Sequence, residues 1–305
     1  MNRKMGKKTR RQIMKITNRL GLPFGLVKAV STERHNAENC ISATTLLQGI
    51  KQIILTERHW NELEDDVSDR VWAIWGQAVH SLLEHEGEND FTELEMAHKV
   101  GNITVTGRID NYDMGHGVIC DYKTASIWKV KYRDFAEWEL QGLIYAWLLK
   151  KNGFEVKKCR FIALLKDHSK TDQMRDSQYP PKPVYVYEFP ITLAGLMKID
   201  GFIKKRLQEY ENYRALHDNK IPPCAPEERW DKSTTYAVMK QGRKTAVKLF
   251  DNAESANTKA NELGNLHFVE TRKGESTKCR HYCLCRKFCN YYQSMSPTIE
   301  YAQAA

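Results

Sequence analysis

The run GRIDNYDMGHGVICDYKTAS, residues 107–126, constrains this chain more than any other stretch. Two strand-like segments flank the turn-forming MGHG and read as a hairpin, yet they carry Asp110, Asp121 and Lys123. Burying charge is costly unless it is paired or bound to a metal. Side chains in a strand alternate faces, so Asp121 and Lys123 point one way while Cys120, Tyr122 and Thr124 point the other. Asp110 ends the neighbouring strand, so the three groups can converge. Two adjacent carboxylates repel unless a cation lies between them, and Mg²⁺ or Mn²⁺ prefers such oxygen ligands. A lysine beside them can hold a water and stabilise charge developing on a phosphoryl group. An isolated acid-x-lysine is more often the salt-bridged outer face of a strand, so the flanking elements have to decide.

The spacing predicts a helix over SATTLLQGIKQIILTERHW with Ser42 as N-cap, and a second over SDRVWAIWGQAVHSLLEHEG that stops before Gly87. FTELEMAHKV, ITVTGRIDNYD and GVICDYKTAS read as strands. RDFAEWELQGLIYAWLLKKNG reads as an amphipathic helix closed by Gly153, followed by strands at KCRFIALLKD and PVYVYEF and, between these, a polar loop, HSKTDQMRDSQYPPKP. The sum is an α/β chain with a central mixed sheet flanked by helices. In the second helix Gly76, His80 and Glu84 share a face; in the later one Gln141 and Tyr145 do, as an ordinary polar edge.

The ordered set G-x-x-x-H (Gly76 to His80), G-R-I-D (Gly107 to Asp110), D-Y-K (Asp121 to Lys123) and Q-x-x-x-Y (Gln141 to Tyr145) resembles the RecB-type exonuclease branch of the PD-(D/E)XK nuclease superfamily, over roughly residues 41–190. Ile109 stands where the family name puts a proline. The resemblance implies a restriction-endonuclease-like core, a metal-dependent deoxyribonuclease, and relatives among phage and CRISPR-adaptation exonucleases. It assigns His80, Asp110, Asp121 and the Tyr122 carbonyl as ligands of Mg²⁺ or Mn²⁺. Lys123 would orient the attacking water, and Gln141 and Tyr145 would position the scissile strand. Glu84 and Glu95 are weaker candidates for outer or second-metal roles.

Beyond residue 193 the long helix TLAGLMKIDGFIKKRLQEYENYRALHD leads to a small α+β module. In it TTYAVMKQGRKTAVKLF reads as a hairpin, Asp251 with Glu254 as a capping box for the next helix, and HFVETR as a strand. The expected organisation is a basic arm at 1–40, the nuclease core at 41–192, a connecting helix at 193–222 and a cysteine-rich module at 223–305. Cys279, Cys283, Cys285 and Cys289 crowd into the module's end, and Cys224 lies just ahead of it. Cys224, Cys279, Cys283 and Cys289 can form a local four-thiolate site with Cys285 left over. Four thiolates suit a [4Fe-4S] cluster or a structural Zn²⁺ alike; similarity to the CRISPR-adaptation and AddB-type nucleases implies the cluster.

The net charge is +9, and residues 1–30 contain Arg3, Lys4, Lys7, Lys8, Arg10, Arg11, Lys15, Arg19 and Lys28 without an acid. Such an arm suits DNA phosphates or serves as a solubilising terminus. LGLPFGLVKAV is broken by Pro23 and Lys28, which argues against a signal peptide, and no apolar run is long enough to span a bilayer. Eight cysteines without a secretory signal fit a reducing compartment, a bacterial cytoplasm or that of a phage host. The expected partners are DNA, single-stranded or with free ends, and proteins of recombination, replication or repair. A non-catalytic DNA-binding scaffold and a restriction-type endonuclease are the alternatives. Aromatic residues such as Trp128 and Tyr132 could stack on unpaired bases, although core or boundary packing is the commoner role of each singly.

Overall fold

The computed structural model describes residues 14–30, 39–83 and 91–295. Most of the basic arm, and Glu84, lie outside these residues. The chain divides into two units, Met1–Leu216 and His217–Ala305. In the first, β1 (Lys15–Thr17), α1 (Phe24–Val30), β2 (Cys40–Ser42), α2 (Ala43–Leu46), α3 (Ile50–Arg58) and β3 (Glu64–Asp66) lead to α4 (Val67–Leu83). Then come β4 (Phe91–Val100), β5 (Ile103–Asp113), β6 (Val118–Ala125), α5 (Ile127–Lys131), α6 (Ala136–Lys151), β7 (Lys158–Leu165), α7 (Lys170–Arg175), β8 (Val184–Pro190) and α8 (Leu193–Tyr213).

The five predicted strands, joined by the unpredicted β2, form one mixed sheet in the order β2-β5-β6-β7-β8, with β4 also paired to β5. Along β5, Ile103 to Tyr112 is laddered to β4 on one edge. The other edge is shared: β2 pairs at Thr104–Thr106, β6 only at Asn111–Asp113. β6 itself stays paired to β7 from Val118 to Ala125. The β5–β6 ladder therefore ends at Asn111↔Cys120, and the two strands fork at Asp110 and Asp121. The fork is held by the core beneath it, where Ile109, Ile119, Phe161, Ala163, Ile144 and Leu148 are all fully buried; the isoleucine, leucine and phenylalanine side chains contribute roughly 1.5–3 kcal/mol each.

Several local expectations are corrected. The first predicted helix is two, because the chain breaks at Gln48 and Gly49; Ser42 caps the first, its Oγ accepting from Thr45 N at 3.1 Å. The polar loop after β7 contains α7, capped by Ser169, whose Oγ accepts from Asp172 N at 3.2 Å. α6 is not amphipathic but buried nearly all round, since α8 covers the side away from the sheet and the Trp147 indole donates to Asp200 at 2.8 Å. α8 thereby belongs to the first unit, with Ile199, Ile203 and Leu207 buried.

The second unit contains α9 (Pro226–Arg229), β9 (Thr235–Lys240), β10 (Lys248–Phe250), α10 (Ala253–Leu263), β11 (His267–Arg272), α11 (Thr277–His281) and α12 (Asn290–Ser294). Its antiparallel sheet has the order β10-β9-β11. The hairpin forms as expected, but the N-cap of α10 is Asn252, accepting from Ser255 N at 2.8 Å, rather than Asp251. A small core of Val238, Ala256 and Ala260, with Tyr236, Phe250 and Val269 against it, joins helix to sheet. Among the described residues no helix is long and apolar enough to cross a membrane.

Candidate active site

The forked strands place the acids. Freed from the ladder, the Tyr122 N–H donates to Asp110 Oδ2 at 2.8 Å across the fork. A residue's N–H and C=O lie on the same edge of a strand, so the Tyr122 carbonyl opens into the fork as well. Asp121 is 1% exposed. One of its oxygens accepts from Gln141 Nε2 at 3.0 Å, and the other lies 2.6 Å from the Lys123 ammonium. That second oxygen, Oδ2, has no aligned hydrogen bond. The ion-pair distance and the missing hydrogen bond differ only in angle: the ammonium is close but off-axis, leaving lone-pair capacity on a fully buried carboxylate. Burial pushes the Asp121 carboxyl up, against the pull of Lys123, and the nearby Asp110 charge adds to the rise. A cation is the natural compensation for such a group.

α4 brings His80 to the same place, with Nδ1 3.3 Å from Asp110 Oδ1. Hydrogen bonding to Asp110 raises the imidazole above its ordinary value despite partial burial. Gly76 eases the approach of α4 only modestly, since an added Cβ would meet Thr124 Oγ1 at 3.9 Å, an ordinary contact. Gly107 is the glycine the site requires. A Cβ there would stand 2.7 Å from Leu148 Cδ1 and 3.1 Å from the Tyr145 ring.

Gln141 and Tyr145 are buried at 6% and 5% exposure. Gln141 Nε2 also donates to the Tyr145 hydroxyl at 3.0 Å. The pair stands behind Asp121, so its contact is with the carboxylate, and burial with the Asp121 charge raises the Tyr145 phenol.

The structure adds a residue that sequence reasoning missed. Single ligand atoms of His80, Glu93 and Asp110 lie within 4.8 Å of one another. Glu93 and Asp110 are the two residues the β4–β5 ladder skips, between Thr92↔Asn111 and Leu94↔Ile109, and Glu93 has φ +49, a left-handed conformation that costs a non-glycine residue of order 1–3 kcal/mol. Arg108 Nε holds its carboxylate at 2.6 Å. Glu95, the residue sequence analysis named, is exposed and opposite Arg108. The strand pattern could not choose between them, because Glu93 and Glu95 have the same parity. The trio does not include Asp121, which faces Lys123 and Gln141 instead.

In the second unit Cys224 and Cys279 are brought near by backbone pairing. Lys232 N donates to Glu275 O at 2.9 Å, Asp231 bridges to Ser276, and Arg229 donates to the Cys224 carbonyl. Burial and its neighbours Cys283, Cys224 and Cys289 push the Cys279 thiol up to about 12. Cys283 Sγ lies 3.5 Å from the sulfur of buried Cys285, the cysteine outside the expected four-thiolate set, and that contact lowers Cys283 to about 7.

The sequence pattern of the PD-(D/E)XK nuclease superfamily matches residues 29–290. The chain belongs to that superfamily, and is a nuclease by that membership. Among solved structures, the protein SSO0001 is similar over 57% of this chain and 78% of its own, at 20% identity and a TM-score of 0.41. The alkaline exonuclease LHK-Exo of Laribacter hongkongensis aligns over 58% and 90%, at 12% identity and a TM-score of 0.38. A phage related exonuclease from Haemophilus somnus 129PT aligns over 53% and 79%, at 13% identity and a TM-score of 0.35. No curated protein sequence matches the chain.

Proposed function

We propose that this chain is a metal-dependent DNA exonuclease of the RecB-type branch, acting in phage or bacterial recombination, replication or repair. The observation that carries the reading is the fork: Asp110, Asp121, Lys123 and His80 meet where β5 leaves β6, and one oxygen of the fully buried Asp121 carboxylate is ion-paired to Lys123 without an aligned hydrogen bond. The donor set fits a divalent ion. His80, Asp110, Asp121 and the Tyr122 carbonyl would hold it, with Glu93 as a further ligand, and the imidazole makes Mn²⁺ as suitable as Mg²⁺. Bound there, the ion would polarise the scissile phosphate and acidify a water. Lys123 orients that water and offsets charge on the phosphate. Gln141, braced by Tyr145, fixes the Asp121 carboxylate in the plane the site needs. The exonuclease assignment rests on the ordered four-motif set.

The cysteines of the second unit would hold a [4Fe-4S] cluster through Cys224, Cys279, Cys283 and Cys289. A tetrahedral zinc with bonds of about 2.3 Å needs its sulfurs within about 4 Å of each other. A [4Fe-4S] cluster accepts the same four thiolates at a wider spacing, and the resemblance to cluster-bearing nucleases favours it. Protein purified without oxygen should show visible absorbance and bound iron; zinc alone would overturn this part.

End-labelled linear and covalently closed circular DNA, each with Mg²⁺ and with Mn²⁺, test the activity. Linear substrate should be degraded from its ends while circles persist. Cut circles would make it an endonuclease, and intact DNA with both metals would remove the nuclease reading.

A further inference from the structure

The helix that carries His80 has a feature the proposed chemistry leaves unused. Trp72 and Gly76 precede His80 by eight and four residues, so all three share one face of α4. Only Val67 of that apolar helix is buried, and Trp72 is 61% exposed. The Lys166 ammonium stands 4.2 Å from the centre of the Trp72 ring. Lys166 follows β7, and its N–H donates to the Ala125 carbonyl at 3.0 Å, at the end of the strand that bears Asp121 and Lys123.

Two elements give the same offset. Eight helical residues separate Trp72 from His80 by about 12 Å, and four strand residues separate Ala125 from Asp121 by about 13 Å. Between them Gly76 approaches Thr124, so helix and strand run side by side. Just past Ala125, α5 and its C-cap carry exposed Trp128 and Tyr132, stacked at 5.7 Å, with the Lys131 ammonium 5.2 Å from the Trp128 ring. Asp167 anchors that helix, accepting from Ser126 Oγ at 2.6 Å and Ile127 N at 2.8 Å.

We propose that Trp72, backed by Lys166, is a stacking subsite for an unpaired base of the strand whose scissile phosphate lies at the carboxylates. The inference rests on the nuclease reading and adds the substrate class, single-stranded DNA or a frayed end. A solvated indole with a lysine beside it offers a base a π-face and its phosphate a cation. Bases inside a duplex are stacked on each other and cannot cover it. An extended strand crosses 12–13 Å in about two nucleotides, which places the stacked base two steps from the bond that is cut.

Anisotropy of a labelled oligo-dT and of a blunt-ended hairpin duplex, with EDTA to prevent cleavage, would compare the parent with Trp72→Ala and Trp72→Phe. Trp72→Ala should weaken oligo-dT binding by about 10-fold and duplex binding by less than about 2-fold, with Trp72→Phe close to the parent. Trp72→Phe also guards against a folding defect, because only a stacking role is rescued by another ring. In the cleavage arm, an abasic nucleotide about two positions from the scissile bond should slow the parent and leave Trp72→Ala no slower than it already is. Equal oligo-dT affinity in parent and Trp72→Ala, or equal losses on both DNAs, would overturn the subsite. If the parent binds as described but cleaves nothing, the nuclease reading fails alone.

Discussion

The two units hold their chemistry by opposite means. In the first, Asp110, Asp121, Lys123, His80 and Gln141 come from β5, β6, α4 and α6, and a continuous core that includes Ile109, Ile119, Phe161, Ile144 and Leu148 fixes those elements before any ion arrives. In the second, the buried cluster is Val238, Ala256 and Ala260, and the cysteines lie on or beside α9, α11 and α12, helices of four or five residues. Helices that short do not hold themselves, and small modules with little core need a staple. A ligand at the fork therefore adds function to an existing fold, whereas a ligand at the cysteines supplies part of the fold.

The largest effect should come from attacking the staple. Cys279→Ser should cost the second unit most of the stability a structural four-thiolate site confers, of order 10 kcal/mol. Limited proteolysis should then cut within 217–305 and spare the first unit; equal resistance in both would erase the contrast. Next comes the fork: Lys123→Ala should slow cleavage by about 10²–10³-fold, while the protease resistance of residues 217–305 is unchanged.

Gly107→Ala asks how rigid the first unit is. The added methyl meets Leu148 and the Tyr145 ring, so overpacking should cost about 1–3 kcal/mol in urea unfolding. Because Tyr145 braces Gln141, kcat should fall with little change in KM. Asp200→Ala is the mildest. It removes the acceptor of the Trp147 indole, itself 3% exposed, for about 1 kcal/mol, since Asp200 is partly solvated. Lys204 and then Trp147 hold the Asp200 carboxyl down to about 2, below its ordinary 3.8. The folded form thus binds this proton less readily than the unfolded chain. The difference between parent and variant should be full above pH 3.8 and vanish as pH falls through about 2.

Much of the first unit was legible. The alternation in ITVTGRIDNYD and GVICDYKTAS, with MGHG between them, gave both strands and their hairpin, and the motif order gave His80, Asp110, Asp121 and Lys123. The fork was not legible, because it depends on β2 and β6 sharing one edge of β5, a register no local pattern encodes. Gln141 and Tyr145 read as a polar edge because no local pattern shows that this edge is buried against Asp121 and the β5 backbone at Gly107. Glu93 was hidden by strand parity and by a backbone conformation that sequence does not announce. Cys285 read as surplus because spacing cannot show that its sulfur lies against Cys283.

The central claim is that the forked strands form a working metal site for DNA hydrolysis. The most direct test is the initial rate of linear DNA cleavage by the parent and by Asp121→Asn, titrated with Mn²⁺, with thermal unfolding of both followed in parallel. The account predicts saturable, metal-dependent cleavage by the parent and loss of that activity in Asp121→Asn while the folded unit persists. Equal rates in the two proteins, or cleavage by the parent that is indifferent to the metal, would contradict it.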